Sequence, residues 1–485
     1  MAVAGRWWTS IVLSLLLSQP TGPATHVHQP VAHTGLDRRT VDLRPLPGRP
    51  GVLELSFDSP ILGRRITNRV YPPADLVPGT RYPTLYYLHG TVEPPLDRDE
   101  VEPVTRHEAF TDVIGPGGGA KQADLFGFER QADRARYFVV APDTSLTRTL
   151  CQTCVWIDGR TDPVPNAHPA TAATVRADSF LHQELYPLVE ELFPVRDDRA
   201  GRGVLGFSMG AVAAYLQGMT HPDRYSFTAA VSGALDVVDE PGFRGLWDAG
   251  GFYRDQGYGT AATRSADWRG HNPADLAGNL SGIDHPVFSS AGDACLPLGS
   301  TAEVDCQRTP AALNPAAAAI ETFVARQFAG RPSPLARAGV TETRIQLPGV
   351  HGANNERVYR EHIVGFANDR FGSSISEPDT FRYSSSAGEF SVWGYDVVVR
   401  NGPAELRRLD DARRDGRSFT VRGSGTVEVV GPAVFIPGST QRIRIEASGR
   451  QPVETETIAD DEGRLHAVIE SPDPSRATSV QTIGR

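Results

Sequence analysis

The chain has 485 residues, too many for one ordinary core and enough for two or three domains. Its residues are 40% hydrophobic, ample for a large core, so a disordered or fibrous chain is excluded. The formal net charge of −10 comes with no basic stripe, which argues against nucleic acid as a partner.

At the start, Arg6 precedes an apolar run from Trp7 to Leu17, followed by small residues and prolines up to Ala24. A basic residue, a short apolar stretch and then small residues form a signal-peptide pattern, so a secreted chain cleaved near Ala24 is expected. No Cys follows the run to carry a lipid, and no later segment is long and apolar enough to span a bilayer. Residues 25–50, rich in Pro, Thr and His, read as a flexible arm.

Strands are predicted at 53–57 and 65–71, and a third at 82–88, where Leu85-Tyr86-Tyr87-Leu88 suits a strand buried on both faces. Residues 92–135 form a Pro- and Gly-rich loop that lacks the Lys and Ser/Thr of a phosphate cradle. A fourth strand follows at 137–143. The apolar residues from Phe180 to Leu192 recur with helical period, so a helix is predicted over 177–193, kinked at Pro187. Further strands are expected at 227–233, 286–293 and 343–347, and helices at 314–328 and 355–370. Residues 240–275, rich in Gly, Trp, Tyr and Asp, read as a lid or pocket rim.

This alternation over 51–372 predicts an α/β domain on a mainly parallel sheet. Residues 373–388 read as a linker. Short alternating runs such as Asp396 to Val399, Thr426 to Val430 and Arg442 to Ile445 make 389–485 a small all-β, sandwich-like domain.

Cys151, Cys154, Cys295 and Cys306 are the four cysteines. An even number in an exported chain suggests two disulfides, and of the three pairings loop closure favours Cys151–Cys154 with Cys295–Cys306. A redox pair belongs at a helix start, whereas Cys151 and Cys154 sit in a polar loop. No His or Cys cluster surrounds either pair at zinc spacing, so neither a metal nor a cofactor is expected.

The chemistry centres on Gly206-Phe207-Ser208-Met209-Gly210, a Gly-x-Ser-x-Gly nucleophile elbow between an apolar strand and a helix of small residues. The Met209 N–H at the helix start and the Thr91 N–H, in the loop after the third strand, are the expected oxyanion donors. His89, next to that loop, reads as a packing residue. In this fold the base follows the serine, with an acid between them in the chain. His351, flanked by Gly349 and Gly352 after the last strand, is the candidate base. His271, His285 and His362 read as packing or surface residues. For the acid, Asp293 at a strand end and Glu321 on the 314–328 helix are the candidates, and position alone leans to Asp293.

Residues from about 50 to 372 resemble the secreted mycolyltransferases and the wider esterase D family of α/β-hydrolases. The resemblance rests on Gly206 to Gly210, on Cys151 to Trp156, on Trp268-Arg269-Gly270-His271-Asn272-Pro273, on Ile320 to Val324 and on Gly349 to Gly352. It implies Glu321 as the acid, with Asp293 the alternate. The family's acidic residue before the oxyanion-loop glycine is replaced here by His89, so a trehalose acceptor is not implied. The expected function is a secreted serine carboxylesterase or acyltransferase acting on small-molecule or lipid acyl esters. A sugar or glycerol acceptor and association with a cell envelope are the further expectations. A non-catalytic exported binder on a hydrolase scaffold and a polysaccharide-directed esterase are the alternatives.

Overall fold

The computed structural model describes residues 41–91, 122–144, 155–160, 175–295, 315–329, 332–447, 449–471 and 477–483. The larger sheet has nine strands: β1 (Asp42–Pro45), β2 (Leu53–Ser59), β3 (Arg64–Tyr71), β4 (Thr84–Leu88), β5 (Phe138–Ala141), β6 (Arg202–Phe207), β7 (Phe227–Val231), β8 (Val287–Gly292) and β9 (Glu342–Leu347). Their order is β1-β2-β3-β5-β4-β6-β7-β8-β9. The pairings from β5 to β9 are parallel and those among β1, β2, β3 and β5 antiparallel. This is the α/β-hydrolase architecture.

Apart from Arg202 at the start of β6, the central strands are buried throughout because each face carries its own core. Successive side chains of a strand point to opposite faces. Tyr86 and Leu88 accordingly join the core under the helices at 177–192 and Met209–Thr220. Leu85 and Tyr87 join the opposite core, with Phe126, Tyr359 and Ile363.

Two expectations are corrected, the arm over 25–50 and the linker over 373–388. The arm expected over 25–50 is partly ordered, because residues 42–45 form the edge strand β1, paired with β2. The region 240–275 holds helices at Pro241–Ala249, Ser265–Gly270 and Pro273–Leu276. Glu240 caps the first of these by accepting the Phe243 N–H at 2.6 Å, and Pro241 occupies its first turn. The linker expected over 373–388 is shorter, since 380–385 already form a strand. The helix expected at 177–193 is built as Ala177–Phe180, a π-type turn Leu181–Leu185, and Tyr186–Leu192. Pro187 lacks an N–H and lies in the first turn after the π segment. The wider turn accommodates the missing bond.

The C-terminal strands are β10 (Thr380–Ser385), β11 (Glu389–Val392), β12 (Tyr395–Asn401), β13 (Arg407–Arg413), β14 (Ser418–Arg422), β15 (Gly425–Val430), β16 (Thr440–Ala447), β17 (Val453–Ile458), β18 (His466–Ser471) and β19 (Ala477–Ile483). They form two antiparallel sheets, β10-β13-β14-β19-β16-β17 and β11-β12-β15-β18. Phe381, Leu409 and Val421 of the first sheet meet Tyr395, Val397 and Val429 of the second in one core.

This β unit is fastened to the α/β unit by directed bonds. Tyr383 donates to Thr220 O at 2.8 Å, and the Trp393 N–H donates to Asp223 at 3.1 Å. Asn279 donates to Ser384 O and accepts its N–H. Arg199, 6% exposed, donates to Pro222 O and Asp284 O and lies 5.3 Å from the Trp393 ring centroid. Arg199, Asp223 and Asp284 lie just before β6, β7 and β8 respectively, so the β unit sits where these parallel strands begin.

Candidate active site

Ser208 lies between the end of β6 and the helix Met209–Thr220, with φ 56° and ψ −121°. A left-handed φ is strained for any residue with a Cβ, and here it turns the hydroxyl out above the strand ends. The turn closes because Gly206 and Gly210 have no side chains. A Cβ at Gly206 would strike the Gly210 carbonyl, and one at Gly210 would strike the Leu88 carbonyl. As the first residue of its helix, Met209 has an N–H with no intrahelical partner, aligned with the helix dipole.

The structure brings three residues that are distant in the chain into one hydrogen-bonded row. His351 Nε2 lies 2.8 Å from Ser208 Oγ, and His351 Nδ1 lies 2.6 Å from Glu321 Oε2. Glu321 is fully buried on the helix Pro315–Phe328, and His351 is 3% exposed after β9. Ser232 donates to Glu321 Oε1 at 3.0 Å, and the Gly292 N–H donates to the same oxygen. With Oε1 committed to those donors, Oε2 is directed at the imidazole. Its hydrogen bond places the imidazole proton on Nδ1 and leaves Nε2 as the acceptor facing Ser208. Phe207 packs near the imidazole, with ring centroids 5.1 Å apart.

Asp293 does not join this row. Its Oδ1 accepts the N–H groups of Cys295 and Gly349, which shapes the loops at the end of β8 and β9. Thr91 lies beside Ser208, with Thr91 Oγ1 4.0 Å from Met209 Sδ. The buried Gln122 donates to Thr91 O at 3.2 Å and accepts the Gly90 N–H.

A cavity of about 230 Å³ opens beside Ser208 and His351. Its walls are mainly apolar and include Val212, Phe243, Leu246, Trp247, Phe252 and Ile320. Trp247 and Phe252 stack at 4.2 Å. Sequence reasoning placed a rim here without naming these residues. It also missed Ser232 and Gln122. Ser232 follows β7 at the same end of the sheet as the elbow, and that strand-end position was the available signal.

His271 and His285 are placed in packing roles. His271 is turned to Asp267 O through Nδ1 at 2.8 Å, and burial lowers its pKa. His285 lies between Tyr225 O and Thr228 Oγ1, and burial, helped by Arg199, pushes its pKa down to about 3. Cys295 is disulfide-bonded. Cys151, Cys154 and Cys306 lie outside the described residues, as does the expected signal segment.

One group among the described residues has metal-ligand chemistry. Asp178, His182 and His221 each bring a ligand atom within 4.8 Å of the others. A guanidinium nitrogen of Arg224 faces His182 Nδ1 at 3.2 Å, so the His182 proton sits on Nε2, which donates to Gln217 at 2.9 Å. A metal would need that nitrogen bare. The group is a hydrogen-bonded charge network instead. Burial opposes charge on both members of the Asp178–His221 pair, but their contact, at 2.9 Å, lowers the Asp178 pKa and raises that of His221. Among the described residues no helix is long and apolar enough to cross a membrane.

Comparison with known proteins adds the following. Residues 59–293 match the family model described as "Putative esterase". No curated protein sequence matches the chain. Among solved structures, an S-formylglutathione hydrolase from Agrobacterium tumefaciens is 14% identical with a TM-score of 0.43, over 68% of this chain and 99% of that one. The serine hydrolase FphF of Staphylococcus aureus is 16% identical with a TM-score of 0.41, over 66% and 98%. MPT51 (FbpC1) of Mycobacterium tuberculosis is 16% identical with a TM-score of 0.40, over 73% and 99%.

Proposed function

We propose that the protein is a serine carboxylic ester hydrolase that works through an acyl-enzyme. The observation that carries this reading is the Ser208–His351–Glu321 row opening onto an apolar cavity. The match of residues 59–293 to an esterase family model supports it. Ser208 Oγ attacks the ester carbonyl while His351 Nε2 takes its proton, and the Glu321 carboxylate stabilises the imidazolium that forms. The Met209 and Thr91 N–H groups face the oxygen that becomes negative. His351 then returns the proton to the departing alkoxide. Water, or an acceptor alcohol such as a sugar or glycerol, attacks the acyl-enzyme in the second half of the cycle.

The cavity limits the acyl group. A closed apolar cavity of about 150 Å³ takes benzene, so one half as large again has room for about nine carbons. The reading is therefore a medium-length or aromatic acyl ester, and only the first part of a very long lipid chain would fit. Export with cleavage near Ala24, and the Cys151–Cys154 and Cys295–Cys306 pairing, belong to the same proposal. They rest on the signal-peptide pattern and the even number of cysteines.

The test is turnover of p-nitrophenyl esters from acetate to decanoate, with and without glycerol, by the wild type and Ser208→Ala. Ser208-dependent release of acid, best for chains of intermediate length, is expected. Equal rates for the two proteins would favour a non-catalytic binder on this scaffold.

A further inference from the structure

The oxyanion loop is held by more than its own backbone. Five backbone N–H and C=O groups run from His89 O to Thr91 O, and four of them are tied to buried side chains. Trp156 Nε1–H donates to His89 O at 3.1 Å. The Gly90 N–H donates to Gln122 Oε1, which also accepts the Tyr87 hydroxyl at 3.1 Å. His89 Nδ1 lies 2.7 Å from Gly90 O, and Gln122 Nε2 donates to Thr91 O. The fifth group, the Thr91 N–H, has no partner among the described residues, and Thr91 lines the cavity beside Ser208 and Met209.

His89 is fully buried, and its tautomer follows from its neighbours. The Thr144 backbone N–H points at His89 Nε2 from 3.2 Å, so Nε2 is an acceptor and the proton is on Nδ1, donated to Gly90 O. Burial lowers the His89 pKa, which keeps the ring neutral and this arrangement in place at neutral pH. The Gly90 carbonyl and the Thr91 N–H belong to one planar trans peptide, and point in opposite directions. A side chain that fixes the carbonyl therefore fixes the direction of the N–H.

We propose that His89 and Gln122 are positioning residues that orient the Thr91 N–H as the second oxyanion donor. Neither touches the reacting atoms. His89 sets the plane of the peptide that carries the donor, and Gln122 holds the peptide on each side of it. The inference rests on the ester-hydrolase reading, and it gives His89 a task that the sequence alone did not assign.

The experiment compares wild type, Ser208→Ala, His89→Gln, His89→Asn and Gln122→Glu with p-nitrophenyl octanoate and with an octyl trifluoromethyl ketone. That ketone's adduct with Ser208 carries an oxyanion. Asn can place an N–H where Nδ1–H was, Gln cannot, and Glu loses the donor to Thr91 O. His89→Gln and Gln122→Glu should lose about 10- to 100-fold in kcat, within the cost of one oxyanion donor, with KM nearly unchanged. Ketone inhibition should weaken by the same factor, and His89→Asn should recover most of both. A simple packing role would leave no rescue by Asn and no parallel between kcat and ketone affinity, and that result would overturn the assignment. So would kcat values equal to wild type. Wild-type protein with no Ser208-dependent turnover would instead sink the hydrolase reading, and this inference with it.

Discussion

Glu321→Gln is the most informative single change, because the structure determines how the amide must sit. In the wild type, Oε1 accepts from Ser232 and from the Gly292 N–H, while Oε2 faces His351 Nδ1. An amide has only one acceptor oxygen, and the two donors claim it. The NH2 group is then turned to His351, so Nδ1 must become the acceptor and the proton moves to Nε2. The imidazole presents an N–H to Ser208 and cannot take its proton. The charge stabilisation is lost as well. With charge centres about 4 Å apart and an effective dielectric of about 20, the carboxylate is worth about 4 kcal/mol to the imidazolium. At about 1.4 kcal/mol per decade this is about 10³ in rate, before the tautomer effect is added. The assay is kcat and KM for p-nitrophenyl octanoate, with thermal melting to show that the variant is folded. A folded variant retaining more than a tenth of wild-type kcat would refute the argument that Glu321 is the acid partner.

Two further outcomes follow from the packing and from the buried ionisable groups. Leu246→Trp fills part of the acyl cavity, so kcat/KM for the octanoate ester should fall at least about 10-fold while acetate stays within about 3-fold. A uniform loss across the p-nitrophenyl ester series would place the acyl chain elsewhere. His285 titrates in the unfolded chain near 6.5 and in the fold at about 3, so the unfolded state binds one more proton between those values. Its contribution is present above pH 6.5 and is lost as pH falls, at about 1.4 kcal/mol per unit. In His285→Asn the unfolding free energy, followed by urea melts from pH 6 to 4, should lose one proton's worth of slope. An unchanged slope would show that His285 is not held neutral.

Much of the α/β layout is legible in the residues, because strands buried on both faces are written as continuous apolar runs. The Val, Leu, Tyr and Ala of β4 to β7 are such runs. The elbow is legible for a steric reason, since only glycines fit where Gly206 and Gly210 stand. Other parts are not legible. β1 is four residues at a sheet edge, and its pairing depends on β2 rather than on its own pattern. The helix Pro241–Ala249 contains two glycines and an aspartate, so its cap and its packing under Phe323 outweigh its propensity. The choice between Glu321 and Asp293 was beyond periodicity altogether. A buried carboxylate and a solvated one look alike in sequence, and the leaning to Glu321 came from resemblance. What separates them in the fold is which loop each one ties: Asp293 closes on Cys295 and Gly349, and Glu321 is left for the imidazole.

The seat of the β unit sets its distance from the nucleophile. Arg199, Asp223 and Asn279 grip it at the end of the sheet where the parallel strands begin, whereas Ser208 stands where β6 finishes. The elbow helix between them, twelve residues at about 1.5 Å of rise each, keeps the two ends roughly 18 Å apart. The sandwich is therefore fastened at the opposite end of the parallel strands from the nucleophile, about one helix length away.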